Sequence, residues 1–250
     1  MAEYVREDWR GSRFDEVDFG GSRFSNVYFT DTVIRGAWLQ RVEIDAYVDG
    51  LVINGVDVGP LIEAELDRRD PDRALTRPVD ADGFRLAWQV VTRRWDAAVQ
   101  RARRLPEEVL QERVDGEWSF VETLRHLVFA TDAWVLRALL GDPAPYHPLG
   151  LAHSEMPADT PGVPHPVDDV RPSLDEILAV RADRFAVVAQ VLADLTDERL
   201  DATTVPVLGP GYPESVAFPV RRCLMAVVQE EWLHRGFAER DLAVLEGRSS

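Results

Sequence analysis

Residues 227–246 read VVQEEWLHRGFAERDLAVLE, and the fold turns on how this stretch is placed. An α-helix turns about 100° per residue. On a helix starting near Pro219, the residues Val220, Leu224, Val227, Ala238, Leu242 and Leu245 share one face. Glu231 falls near the centre of that apolar face. Glu230 and His234 fall on its flank, within about 40° of each other because they are four residues apart. A carboxylate on a core-facing stripe is costly unless it is paired or bound to a cation. Imidazole and carboxylate together suit Zn²⁺ and similar divalent ions. The stretch therefore reads as a bundle helix that buries either a metal site or an ion pair. Arg235 and Arg125 are the arginines at hand for the second case.

Three further helical patterns lie upstream. The first runs from Asp82 to Arg104, with Phe84, Trp88, Val91, Trp95 and Val99 three and four apart, and Leu105-Pro106 ends it. The second runs from Ser119 to Leu140, with Ser119 and Glu122 spaced as a capping box and Gly141 just beyond. The third runs from Ser173 to Leu195, with Glu176 completing a second capping box. The fourth, containing the quoted stretch, runs from Pro219 to Glu246, with Gly247 as its stop. A proline-rich stretch of about thirty residues, GDPAPYHPLGLAHSEMPADTPGVPHPVDDVRP, joins the second helix to the third. It reads as a crossover over one end of a bundle, since a connection this long is usually functional or disordered. A second irregular stretch, TVPVLGPGYPESVAFP, precedes the fourth helix. The expected fold is mainly α: residues 82–250 form a four-helix bundle with a long crossover between its second and third helices.

The second helix repeats the spacing of the fourth. Glu122 and His126 are four apart on a helix that is apolar nearly all round. Ala130 and Ala133 share the side of His126 and leave room for a ligand. The spacing alone leaves the alternatives open. Glu122 has its capping role, His126 fits a core histidine bonded to a carbonyl, and Glu231 fits an arginine partner.

The first fifty residues follow another rule. In GSRFDEVDFGGSRFSNVYFTDTVIRGAWLQRVEID a large apolar residue returns every fifth position: Phe14, Phe19, Phe24, Phe29, Ile34, Leu39, Ile44. A smaller residue precedes each by two, from Ser12 to Val42. A period of five fits neither helix nor strand. It resembles the pentapeptide-repeat family, which implies a four-sided β-solenoid with both positions facing inward. Seven repeats make under two coils, so the expectation is a short cap, residues 1–59, docked on the rest. A short strand over Val52–Val58 with Asn54-Gly55 as a turn ends it. Residues 60–81 are a linker with a short helix opened by Pro60 and running to Arg69.

Bulk properties narrow the function. The formal charge of −16 argues against a general nucleic-acid or anionic-membrane binder. Every basic residue is arginine, which points to GC-rich coding. The lone Cys223 forbids an internal disulfide and reads as structural; with it, a reducing cytoplasm is the expected setting. No apolar run approaches the roughly 18 residues of a membrane span, and the polar start MAEYVREDWRG does not read as a signal peptide.

Trp118-Ser119 followed by FVETLRHLVFATDAW, together with EEWLHRGFAERDL, resembles the DinB-like superfamily of four-helix bundles over residues 82–246. That superfamily includes mycothiol-dependent maleylpyruvate isomerase and bacillithiol S-transferases. The resemblance implies a divalent metal held by His126, Glu230 and His234, with Glu231 as an alternative ligand or a support behind the ligands. Zn²⁺ is the first expectation, Ni²⁺ or Fe²⁺ the alternatives. It also implies an open position for a low-molecular-weight thiol such as mycothiol, activated to attack a small electrophile, with no catalytic protein residue beyond the metal site. A possible homodimer follows from the same source. His147, His153 and His165 lie in the crossover, and His153 is the expected pocket residue. Two other readings stand beside the enzyme: a non-enzymatic scaffold that binds partners through the N-terminal cap, and a metal-binding protein that sequesters a small toxin.

Overall fold

A computed structural model describes residues 2–25, 27–157, 159–164 and 170–248. The chain divides into two compact units, Met1–Val48 and Asp49–Ser250.

The second unit opens with a hairpin. Val52–Ile53 (β1) pairs antiparallel with Val56–Asp57 (β2), joining Val52 to Asp57 and Ile53 to Val56. What reads as one strand is thus two, because Asn54 and Gly55 both take positive φ, 51° and 82°. A two-residue turn of that kind suits the natural twist of a hairpin. Two short helices follow, Gly59–Arg69 (α1) and Pro71–Leu75 (α2).

The bundle is built from Ala81–Ala102 (α3), Phe120–Thr131 (α4), Leu174–Ala193 (α5) and Val220–Arg248 (α7), with the short Asp197–Leu200 (α6) between the last two. Asp80 caps α3, its carboxylate accepting from Gly83 N at 2.7 Å. Both expected capping boxes form, Ser119/Glu122 on α4 and Ser173/Glu176 on α5. α3 packs on α7, and α4 packs on α5 and α7. Phe84, Val121, Leu124, Leu127, Ile177, Val227 and Leu242 are essentially solvent-free between them. Burying each such side chain is worth roughly 1.5–3 kcal/mol. No helix among the described residues is long and apolar enough to cross a membrane.

Two helix boundaries differ from expectation. The second bundle helix does extend to Leu139, but from Asp132 it continues with π-helical hydrogen bonding. Thr131, the residue before this turn, donates its hydroxyl to Leu127 O at 3.0 Å. The wider turn places the fully buried Asp132 where it accepts from Arg184 Nε and from His147 N, both at 2.8 Å. At the other end of the chain, α7 runs through Gly247 rather than stopping at it.

The first unit shows its five-residue period in the backbone. Arg6, Gly11, Glu16, Gly21, Asp31, Gly36 and Arg41 all have positive φ. Tyr4, Trp9, Phe14, Phe19, Phe24 and Phe29 form a ladder with successive ring centroids 5.1, 5.4, 5.8, 5.7 and 5.9 Å apart. The phenylalanines are not enclosed: even Phe19 stays 43% exposed. No strand forms among the described residues of this unit. The repeat is visible as a turn period and a ring ladder, not as paired β-coils.

Candidate metal centre

The Ser119 capping box fixes where α4 starts, and His126 follows two turns later on a stretch buried all round. Glu230 and His234 lie one turn apart on α7, which packs against α4. The three side chains meet. His126 Nε2 is 3.2 Å from Glu230 Oε2, and His234 Nε2 is 3.1 Å from the same oxygen. One donor atom from each of the three lies within 4.8 Å of the others.

The tautomer of His126 is set from outside the cluster. Its Nδ1 lies 3.1 Å from Leu151 O. A carbonyl only accepts, so Nδ1 carries a proton, and in the neutral form of the ring the lone pair of Nε2 points toward Glu230. Three acceptors aimed at one place repel unless positive charge sits among them. Protons on the imidazoles supply it, and so does a divalent cation. Donors about 2.0–2.2 Å from a tetrahedral ion are spaced roughly 3.3–3.6 Å apart. The 3.1 and 3.2 Å separations are close to that spacing, and the donor set of two imidazoles and a carboxylate is one that divalent transition metals accept. Burial alone would raise the pKa of Glu230. With protons on both imidazoles, the hydrogen bonds from His126 and His234 outweigh it and hold the carboxyl well below its usual range.

Rings wall the cluster. Trp118 lies 4.6 Å from the His126 ring centroid and 5.8 Å from that of His234, stacked on the latter. Phe237 sets its edge against His234 at 5.7 Å. The His126 side chain is only 7% exposed, whereas that of Glu230 is 36% exposed, so the cluster opens to solvent on the α7 side.

Glu231 has a different partner. It is 2% exposed, and Arg181 of α5 donates to its Oε2 at 2.8 Å. The Arg181 guanidinium also lies over the Trp95 and Phe185 rings, at 5.0 and 4.8 Å. Burial pushes the Glu231 pKa up, and Arg181 opposes the shift. Its carboxylate is outside the three-donor group. The partner is neither Arg235, which pairs with Glu239, nor Arg125, which donates to the carbonyls of Leu149 and Val170. Glu122 bonds Ser119 and Arg113 and is likewise outside the group. Ala130 and Ala133 are buried in the helical core. Cys223 is buried, and its thiol pKa is pushed up to about 11, mainly by burial. His153 sits with its ring 5.3 Å from that of Tyr212 and senses the charges of both His126 and Glu230. His147 joins the Asp132 and Arg184 cluster through its backbone N–H. His165 lies outside the described residues.

Sequence reasoning did not assign Trp118, the Leu151 carbonyl, Arg181 or Tyr212 to this region. Arg181 had a readable signal: it interrupts the apolar stripe of Ile177, Val188 and Leu192 at helical spacing. Leu151 and Tyr212 lie on irregular connections, where no period predicts what touches what.

The fold and this cluster define a helical bundle with two imidazoles and a carboxylate gathered between two of its helices. A family model described as the DinB superfamily matches residues 91–238, more than half of the chain and all three donors. The chain belongs to the DinB superfamily. No curated protein matches it.

Proposed function

We propose that the protein is a divalent-metal-dependent enzyme that joins a low-molecular-weight thiol, of the mycothiol type, to a small electrophile, as an S-transferase or isomerase. The observation that supports this reading most directly is the convergence of His126 Nε2, Glu230 Oε2 and His234 Nε2. A divalent ion, Zn²⁺ first and Ni²⁺ or Fe²⁺ as alternatives, would supply a lowered pKa to a coordinated thiol, so that thiolate exists at neutral pH. The chain's own residues do the rest. Leu151 O fixes the His126 tautomer and ring, in the way that ligand histidines are usually oriented. Trp118 covers the two imidazoles and keeps water from that side. Arg181 balances Glu231, so the charge beside the cluster is already neutralised. Three protein donors leave a position for an exogenous ligand, as catalytic sites do.

Metal content by mass spectrometry tests this reading. Purified protein should carry close to one divalent ion per chain, and the His126→Ala/His234→Ala variant should fold and carry none. Loaded protein should then conjugate a thiol to a model electrophile faster than stripped protein; equal rates end the enzyme reading. A second reading rests on the open ring ladder of the first unit, which suits a pentapeptide-like partner-binding surface. It expects a set of captured proteins that disappears in Phe19→Ser/Phe24→Ser. An unchanged set removes it.

A further inference from the structure

An imidazole that holds a metal must aim one ring nitrogen at it, and a contact elsewhere on the ring usually fixes that aim. The two imidazoles of the cluster are held in different ways. His126 has a polar anchor, Leu151 O, 3.1 Å from its Nδ1. His234 lacks one. Among the described residues no hydrogen bond reaches its Nδ1, and its polar contact is that of Nε2 with Glu230 Oε2 at 3.1 Å. Aromatic rings surround it instead. Trp118 lies 5.8 Å away and nearly parallel, at 29° between planes. Phe237 stands edge-on at 87° and 5.7 Å, and His126 lies at 4.7 Å. A histidine side chain has two free torsions, and flat neighbours on face and edge restrict both without offering a hydrogen bond.

These two rings are themselves held. The turn before Trp118 closes with Glu117 N donating to Val114 O at 2.9 Å. The residue after it, Ser119, donates its N to Glu122 Oε2 at 2.9 Å. Arg113 donates to Glu122 Oε1 at 2.6 Å. The backbone of Trp118 is thus fixed on both sides, and its ring reaches the two imidazoles at once. Glu122 lies outside the donor group, yet it acts on that group through Trp118. Phe237 follows His234 by three residues on α7, and the Arg240 guanidinium lies over its ring at 5.5 Å.

We propose that Trp118 and Phe237 are positioning residues of the metal site. Their rings hold the His234 imidazole with Nε2 aimed at the place where the three donors meet, the role that the Leu151 carbonyl has for His126. The site then depends on one polar and one aromatic support, and its affinity for a metal is set partly by side chains that do not touch the ion. This inference rests on the metal-dependent reading above.

The test uses full-length protein and Co²⁺ alone. Competition with a chelator gives the affinity, and visible absorption reports the geometry around the ion. Trp118→Leu and Phe237→Leu should each bind Co²⁺ about tenfold more weakly, as loss of a support behind a ligand usually causes, with an altered absorption band. Trp118→Phe restores a flat ring and should stay within about threefold of the wild type, with the wild-type band. Trp118 is half-buried and Phe237 is 39% exposed, so the metal-free variants should fold, with circular dichroism as the check. Phe237→Leu decides the matter if Trp118→Leu does not fold. Affinities within twofold of the wild type in the folded leucine variants overturn the proposal. So does a Trp118→Phe protein as weak as Trp118→Leu, because bulk rather than a flat ring would then be what the site needs. Wild-type protein that binds no Co²⁺ overturns the metal reading itself, and the wild-type spectrum alone identifies that outcome.

Discussion

Glu230 and Glu231 are neighbours on α7, yet the two faces they serve have opposite chemistry. Glu231 faces the bundle interior and meets Arg181, a permanent cation, at 2.8 Å. Glu230 faces the partly open flank and meets two imidazoles, at 3.2 and 3.1 Å. A carboxylate with a guanidinium is electrically complete. A carboxylate with two imidazoles is complete only when protons or a metal join it. The first arrangement serves the fold, and the second has a capacity to spare. This contrast separates the acid that could join a metal from its neighbour that serves the fold, a distinction that helix geometry alone left nearly balanced.

The largest effect should come from the interior face. Arg181→Met leaves Glu231 buried without its cation, and breaking a buried pair in this way costs about 3–5 kcal/mol. Denaturant unfolding should show that loss. Arg181→Met/Glu231→Leu should recover most of it, because exchanging the whole pair for apolar groups is often neutral or better. Both variants should still take up Zn²⁺. A single variant as stable as the wild type would break the comparison, since Glu231 would then need no partner.

The flank should respond in the reverse manner. Zn²⁺ at about a hundredfold excess over its dissociation constant should stabilise the folded protein by about 2.7 kcal/mol. Glu230→Gln and His234→Ala should keep near-wild-type stability without metal and lose that increment. A thermal shift with Zn²⁺ that persists undiminished in both variants would place the ion elsewhere.

A smaller effect lies at the cap that sets the register of α4. Ser119→Ala removes the hydroxyl that accepts from Glu122 N, and the loss of such a cap costs about 1 kcal/mol. Ser119→Asp should restore most of it, because Asp is an equally good cap. Thermal unfolding of the two variants checks both statements.

The regular part of this architecture was legible because it obeys a period. The four bundle helices, both capping boxes and the pairing of Glu230 with His234 follow from residues spaced three and four apart. His126 was legible as a polar residue on an otherwise apolar helix. The Glu231 partner was missed because the choice among arginines depends on which helices pack together, and spacing within one helix does not carry that. The π-helical turn at Asp132 was missed because its cause is tertiary: Arg184 and the His147 N–H reward a displaced carboxylate. The five-residue repeat was legible as a period. The enclosure expected for its phenylalanines did not follow, since seven repeats supply too few neighbours to cover the rings.

The smallest predicted effect concerns pH and the start of the crossover. His147 Nδ1 accepts from Leu149 N at 3.1 Å, which requires a neutral ring. Burial first, and then the nearby Arg184, lower its pKa below the usual value, while Asp132 and Asp183 act against the shift. The unfolded chain therefore binds this proton more readily than the folded one. Stability from His147 is present above about pH 6.5 and is lost as the pH falls through that value. His147→Asn retains an acceptor for Leu149 N and does not titrate. The drop in Tm between pH 7.5 and pH 5.5 should be smaller in this variant than in the wild type. An equal drop would assign the acid sensitivity to other groups, with His153, whose pKa is also lowered mainly by burial, the first to examine. Because His147 bonds Leu149 and Leu151 holds His126, a loosened crossover at low pH would also be felt at the metal-site face, and not at Arg181 and Glu231.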